Sequence, residues 1–227
     1  MTEPTVRAPD GALEHTWRQL VETARRTAAE GLVVGTSGNV SARVGPLILV
    51  TPSGVPYDRL TERDLTAVDL GGRQVIGELR PTSELPLHLA VHRSRDGSRD
   101  GLAVVHTHAA HATAVSTLVT EVPPVHYMTA DLGGPVRVAP YAVYGSDELA
   151  RNMLTALLDR EACLLGNHGT VAVGATLEQA YDRTAQLEWM CRVWLLAASV
   201  PGLAPRLLTR DQLTETATRL RSYGQPG

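Results

Sequence analysis

The sequence predicts an α/β fold: a single-domain, three-layer α/β/α sandwich with a mixed, largely antiparallel central sheet. Three observations point there. Stretches of helical and strand periodicity alternate along the chain. Several successive strands are joined by tight turns, too short for the crossover that parallel neighbours need. The 227 residues, 43% of them hydrophobic, suit one sizeable core, and no internal repeat, low-complexity tract or Ser/Pro linker divides them. Residues 1–227 are therefore read as one domain, with 1–11 and 224–227 as flexible tails.

Leu13, Trp17, Leu20, Val21 and Ala24 recur at three- and four-residue spacing, so a helix is expected over 13–30, stopped by Gly31. Strands follow at 39–44 and 47–51 around the Gly45-Pro46 turn, then a turn at 51–54 and a weak hairpin over 68–74. Ser83 is placed to cap a helix over 84–95. Leu102–His106 reads as a buried strand, followed by a small-residue helix over 109–118. A strand at 136–139 precedes a helix capped by Ser146 and running to 159. Two strands, 162–165 and 170–173, flank the Gly166-Asn167-His168-Gly169 turn. Thr176 opens a long helix that Pro201 ends, and a last helix covers 211–222.

Net charge is −3, so no basic field points to nucleic acid or an anionic membrane surface. All 21 basic residues are arginine. A chain without lysine cannot form a protein Schiff base, anchor pyridoxal phosphate or build a P-loop. Phe is absent as well. The first residues do not read as a secretory signal, and no apolar run reaches the ~20 residues of a membrane-spanning helix. Cys163 and Cys191 sit in apolar surroundings and read as buried thiols of a cytoplasmic protein, with a disulfide between them as the alternative.

His106 and His108 lie two apart at a strand end, so their rings share a face and could grip a metal. His168, between glycines in a turn, suits a third ligand. The same residues fit ordinary strand alternation and a polar turn, and spacing alone leaves both readings open. Glu84, His88 and His92 fall at i, i+4 and i+8 on one helix, a rival metal face. It lacks the HExxH order and carries Pro86 in its first turn, so Glu84 reads better as a lone carboxylate near the strand histidines. His15, His111 and His126 read as structural or surface residues. The run 35–39 offers glycine turns and hydroxyls for an anion, and Thr82-Ser83 stands at a helix start where N–H groups favour one. Tyr127 and Tyr223 are candidates for proton transfer, with a packed ring as the bland alternative. Trp189 and Trp194 read as core or subunit-contact residues.

Seven blocks, in order, resemble the class II aldolase/adducin family and within it the L-fuculose-phosphate aldolases. They are GTSGNVSAR (35–43), TPSGVPYDRLT (51–61), PTSELPLH (81–88), VVHTHAAHATAVS (104–116), PPVHYM (123–128), APYAVYGSDEL (139–149) and LLGNHGTVAVG (164–174). The resemblance implies one zinc ion per subunit on His106, His108 and His168, with Glu84 as acid/base. It implies a phosphate grip from Thr36, Gly38, Asn39, Ser53, Gly54, Thr82 and Ser83. Tyr127 would act in a neighbour's site, Tyr223 would also reach a neighbour, and Tyr144 would border the aldehyde pocket. Asn167 and Tyr144 depart from the commoner family residues.

The implied reaction is reversible cleavage of a (deoxy)ketose 1-phosphate, such as L-fuculose 1-phosphate or 5-deoxyribulose 1-phosphate, to dihydroxyacetone phosphate and a short aldehyde. It would run in a cytoplasmic homotetramer with active sites at subunit interfaces. A methylthioribulose-1-phosphate dehydratase keeps a similar site, and a pentulose-phosphate 4-epimerase would carry Asp in place of Glu84. A non-catalytic adducin-like module would be expected to lose the metal histidines. The missing lysine points the same way independently, because cleavage leaves a carbanion beside a carbonyl and without an iminium a metal must absorb that charge.

Overall fold

Trp17, Leu20, Val21 and Ala24 do form one buried face in the computed structural model, on helix α1 (Ala12–Ala29). The structure describes residues 11–95, 101–220 and 222. The expected tails, Gly11 apart, lie outside them, and so does Tyr223.

Eight strands make one sheet among the described residues: β1 (Asn39–Val44), β2 (Leu47–Val50), β3 (Ala67–Asp69), β4 (Gln74–Ile76), β5 (Ala103–Thr107), β6 (Val138–Ala139), β7 (Ala162–Leu165) and β8 (Gly169–Gly174). Their order is β4-β3-β2-β1-β5-β8-β7-β6. Every neighbouring pair is antiparallel except β6 and β7, so the sheet is mixed and largely antiparallel, as its tight turns require.

Further helices are α2 (Leu85–Ser94), α3 (Ala110–Ser116), α4 (Asp147–Ala156), α5 (Leu177–Ala198) and α6 (Arg210–Leu220). Strand alternation divides the core. Ala103 and Val105 of β5 pack with α1 and the start of α5, and Ala172 of β8 packs with α3 and α5. Val104 of β5 and Val171 and Val173 of β8 pack instead with Leu87 and Val91 of α2 and with Leu149 and Met153 of α4. That is the expected three-layer sandwich, with α1, α3 and α5 on one face and α2 and α4 on the other.

Several element ends differ from expectation. The strand expected at 136–139 shrinks to two residues, and short 3-10 turns occupy Glu62–Asp64 and Tyr127–Ala130. Ser83 does not cap α2, whose cap position is Glu84 with no side-chain bond; Thr82 Oγ1 instead accepts from the Glu84 N–H at 3.2 Å. Ser146 and Thr176 cap α4 and α5 as expected. Cys163 and Cys191 are buried free thiols in clusters on opposite faces of the sheet, and burial pushes both pKa values up. No helix of the described residues is long and apolar enough to cross a membrane.

Trp17 is wholly buried and donates its indole N–H to the Thr61 carbonyl at 3.1 Å. Trp17→Ala should cost about 3–5 kcal/mol of stability, read from denaturant unfolding of the two proteins.

Candidate active site

Antiparallel pairing brings the ends of three central strands together. Asn39, at the start of β1, lies opposite His106 near the end of β5, and His106 lies opposite Val171 at the start of β8. The turn leading into β1 presses on that junction. Gly38 has φ +84°, and a Cβ there would sit 2.9 Å from the His106 carbonyl oxygen and 2.6 Å from Val33. His108 follows β5. His168 comes from the β7–β8 turn, where Asn167 adopts a left-handed φ of 55°. Gly169 passes so close to β5 that a Cβ would collide with the Thr107 carbonyl.

These elements converge four side chains. Ligand atoms of Glu84, His106, His108 and His168 all lie within 4.8 Å of one another. The three imidazoles stand edge to face, with centroids 4.8–4.9 Å apart. His106 Nε2 is 3.0 Å from both His108 Nε2 and Glu84 Oε2, and His168 Nε2 is 3.4 Å from Glu84 Oε1. His106 Nδ1 donates to the Thr170 carbonyl at 2.7 Å, which leaves its Nε2 lone pair aimed at the cluster. Glu84 Oε1 is buried without a hydrogen-bond partner among the described residues. Lone pairs and an orphaned carboxylate oxygen facing one point repel each other unless a cation lies between them. Three nitrogens and one oxygen are a donor set that suits a divalent metal ion.

Burial alone would raise the Glu84 pKa. The facing His106, the hydrogen bond from Asn39 Nδ2 and then His168 outweigh it and hold the carboxyl well below the usual range. Burial, with neighbouring histidines adding to it, pushes His108 and His168 down to about 4, so both rings stay neutral and able to bind a metal at pH 7.

Glu84, His108 and His168 line a cleft of about 330 Å³, with His106 buried just behind them. Thr36, Gly38, Asn39, Ser53, Gly54, Thr82 and Ser83 line the same cleft, so every residue expected to hold an anion is brought to it. The start of α2 offers less than expected. The N–H groups of Glu84, Leu85 and Leu87 are bonded locally, and Pro86 has none. Asn39 also has prior commitments. It donates from Nδ2 to Glu84 Oε2 at 3.0 Å, and its Oδ1 meets His88 Nε2 at 2.5 Å.

Tyr144 lines the cleft mouth at 67% exposure, joined by Asn167 and by Tyr141, a residue the sequence reading passed over. The signal for Tyr141 lay in the quoted APYAVYGSDEL block. Tyr127 is 51% exposed on its 3-10 turn, packed against His126, and does not line the cleft of its own chain. The rival metal face does not form. Glu84 turns to the strand histidines, while His88 and His92 are buried against Ser41. Of the remaining histidines, His111 pairs with Glu188 at 2.6 Å and His126 accepts from the Met128 N–H.

Burial first, with neighbouring positive groups adding to it, pushes His88 and His92 down to about 3, so both are neutral when folded. The unfolded chain takes up those protons near pH 6.5, so this contribution to stability is present above that pH and falls as pH drops towards 3. The pair alone should cost about 2–3 kcal/mol per pH unit near pH 5. Unfolding free energies at pH 7 and pH 5 check this, and equal values would contradict it. Gly169→Ala, by forcing β8 from Thr107 beside two of the histidines, should lower metal affinity at least about tenfold in a chelator competition.

The chain matches the model of the class II aldolase and adducin N-terminal domain over residues 18–195. It is 37% identical to an L-fuculose phosphate aldolase of Escherichia coli K12, over 91% of this chain and 94% of that protein. It is 33% identical to a 5-deoxy-D-ribulose 1-phosphate aldolase of Bacillus thuringiensis, over 91% of this chain and 96% of that one. A solved L-fuculose 1-phosphate aldolase superposes with a TM-score of 0.84 at 30% identity, covering 94% of this chain and 98% of its own. With its three-layer fold and its cluster of three histidines and a glutamate, the chain belongs to the class II aldolase/adducin family.

Proposed function

We propose that the chain is a zinc-dependent aldolase that reversibly cleaves a (deoxy)ketose 1-phosphate, of the fuculose or 5-deoxyribulose kind, to dihydroxyacetone phosphate and a short aldehyde. The observation that carries the reading is the convergence of His106, His108, His168 and Glu84 beside a hydroxyl- and glycine-lined cleft. His106, His108 and His168 would hold the ion, which when bound supplies a Lewis acid for the charge that builds beside the substrate carbonyl.

This chain's own residues do the rest. Thr36, Ser53, Thr82, Ser83 and the remaining amide proton of Asn39 grip the phosphate, while Gly38 and Gly54 let the backbone come close to it. That grip needs no lysine and sets the reacting carbon beside Glu84. In the aldol direction Glu84 takes a proton from the hydroxymethyl carbon, and in cleavage it returns one. Tyr127 protonates the new alkoxide oxygen. Tyr127, which does not line the cleft of its own chain, would serve a neighbouring copy, in the homotetramer with sites between subunits that the family resemblance implies. Tyr144 borders the aldehyde, and Tyr223 is the residue that the family resemblance sends to a neighbour's site. Two buried, unpaired thiols suit the reducing cytoplasm.

The test is a coupled assay for dihydroxyacetone phosphate with fuculose, rhamnulose and 5-deoxyribulose 1-phosphates. Activity should vanish with chelator and return with zinc. Glu84→Gln should lose about 10²–10⁴-fold in kcat. If the metal-loaded protein cleaves none of the three, the aldolase reading is wrong.

A further inference from the structure

Two faces meet rung by rung beside the cleft. Asn39 and Ser41 share one face of β1, and Glu84, His88 and His92 share one face of the α2 segment. Two strand residues advance roughly 6.7 Å and four helical residues roughly 6 Å, so strand and helix stay in step. Asn39 therefore falls between Glu84 and His88, and Ser41 between His88 and His92. Ser41 Oγ is 2.7 Å from His88 Nδ1 and 2.8 Å from His92 Nε2.

The chemistry of each group sets the direction of every bond. An ionised carboxylate only accepts, so Asn39 presents Nδ2 to Glu84 and turns Oδ1 to His88. That oxygen accepts, so His88 carries its proton on Nε2 and leaves Nδ1 bare. Ser41 donates its hydroxyl proton to Nδ1 and accepts from the N–H at His92 Nε2. His92 Nδ1 ends the chain, buried and without a partner among the described residues. All four hydrogen bonds donate towards Glu84.

We propose that Ser41, His88 and His92 are positioning residues, which lock the Asn39 amide so that it holds Glu84 Oε2 and leaves Oε1 as the oxygen that meets the substrate proton. The proposal rests on the aldolase reading. A flip of the amide would set Asn39 Oδ1 against the carboxylate and two donors against each other at His88. The relay is not a proton wire, because the amide N–H of Asn39 does not pass a proton on. Nor does stability explain it. Ser41, His88 and His92 are wholly buried, and a buried polar chain ending in an unpaired nitrogen serves a core less well than apolar packing.

Two measurements on the metal-loaded protein test this. Side-chain 15N NMR should find His88 and His92 both protonated at Nε2, and an Nδ1-protonated His88 would overturn the relay. Exchange of the hydroxymethyl proton of dihydroxyacetone phosphate with D2O isolates the Glu84 step. His88→Met should slow it by about 10- to 100-fold at unchanged metal content, and His88→Gln, which restores an N–H donor, should recover most of the loss. Ser41→Ala, a smaller change should His88→Met fail to fold, should slow exchange in the same direction. Wild-type exchange rates in the folded, metal-loaded His88→Met or Ser41→Ala protein would overturn the proposal. A wild-type protein that exchanges nothing would instead sink the aldolase reading, and the tautomers would still decide the relay.

Discussion

Mutual repulsion among three imidazole lone pairs and a carboxylate is the constraint on which the site depends. Glu84, His106, His108 and His168 place their ligand atoms within 4.8 Å of one another, largely out of water. Such an arrangement costs stability unless a cation occupies its centre, because each group was removed from solvent that would have bonded its lone pair. Burial keeps His108 and His168 neutral, and the Thr170 carbonyl fixes the tautomer of His106. Protein contacts thus prepare the ligands before any ion arrives.

The sheet makes that convergence possible. Because β1, β5 and β8 are adjacent and antiparallel, the start of β1, the end of β5 and the start of β8 lie at one end of the sheet. Asn39, His106, His108 and His168 are therefore neighbours although they lie far apart in sequence. Close backbone approach at Gly38 and Gly169 draws the ends tighter still. The α2 segment then lays Glu84 over the junction from the second layer. The cleft contains hydroxyls and backbone where many phosphate sites use lysine, consistent with a chain whose only fixed cation is arginine.

Much of this was readable from residue spacing. The alternation of His106 and His108, the glycine-flanked His168 and the turn at 35–39 each stood out, because metal and anion sites need those residue types at those intervals. Family resemblance then supplied Ser53, Gly54 and Tyr144, which no local pattern marked. What stayed hidden depended on partners from other elements. The helix face of Glu84, His88 and His92 resembles a metal site when read alone. Only the register of β1 shows that Asn39 and Ser41 meet it. Strand periodicity treated 39–44 as an ordinary strand, whereas all six residues are buried and Asn39 and Ser41 bond to histidines of α2. Ser83 has the right side chain for a cap but loses the position to Thr82, whose hydroxyl reaches the Glu84 N–H first.

The central claim, that His106, His108 and His168 share one ion, is tested most directly by zinc-edge X-ray absorption on the purified, zinc-loaded protein. The account predicts one zinc per chain in a shell containing three imidazole nitrogens at about 2.0–2.1 Å. A shell with sulfur neighbours, or with fewer than three imidazoles, would contradict it.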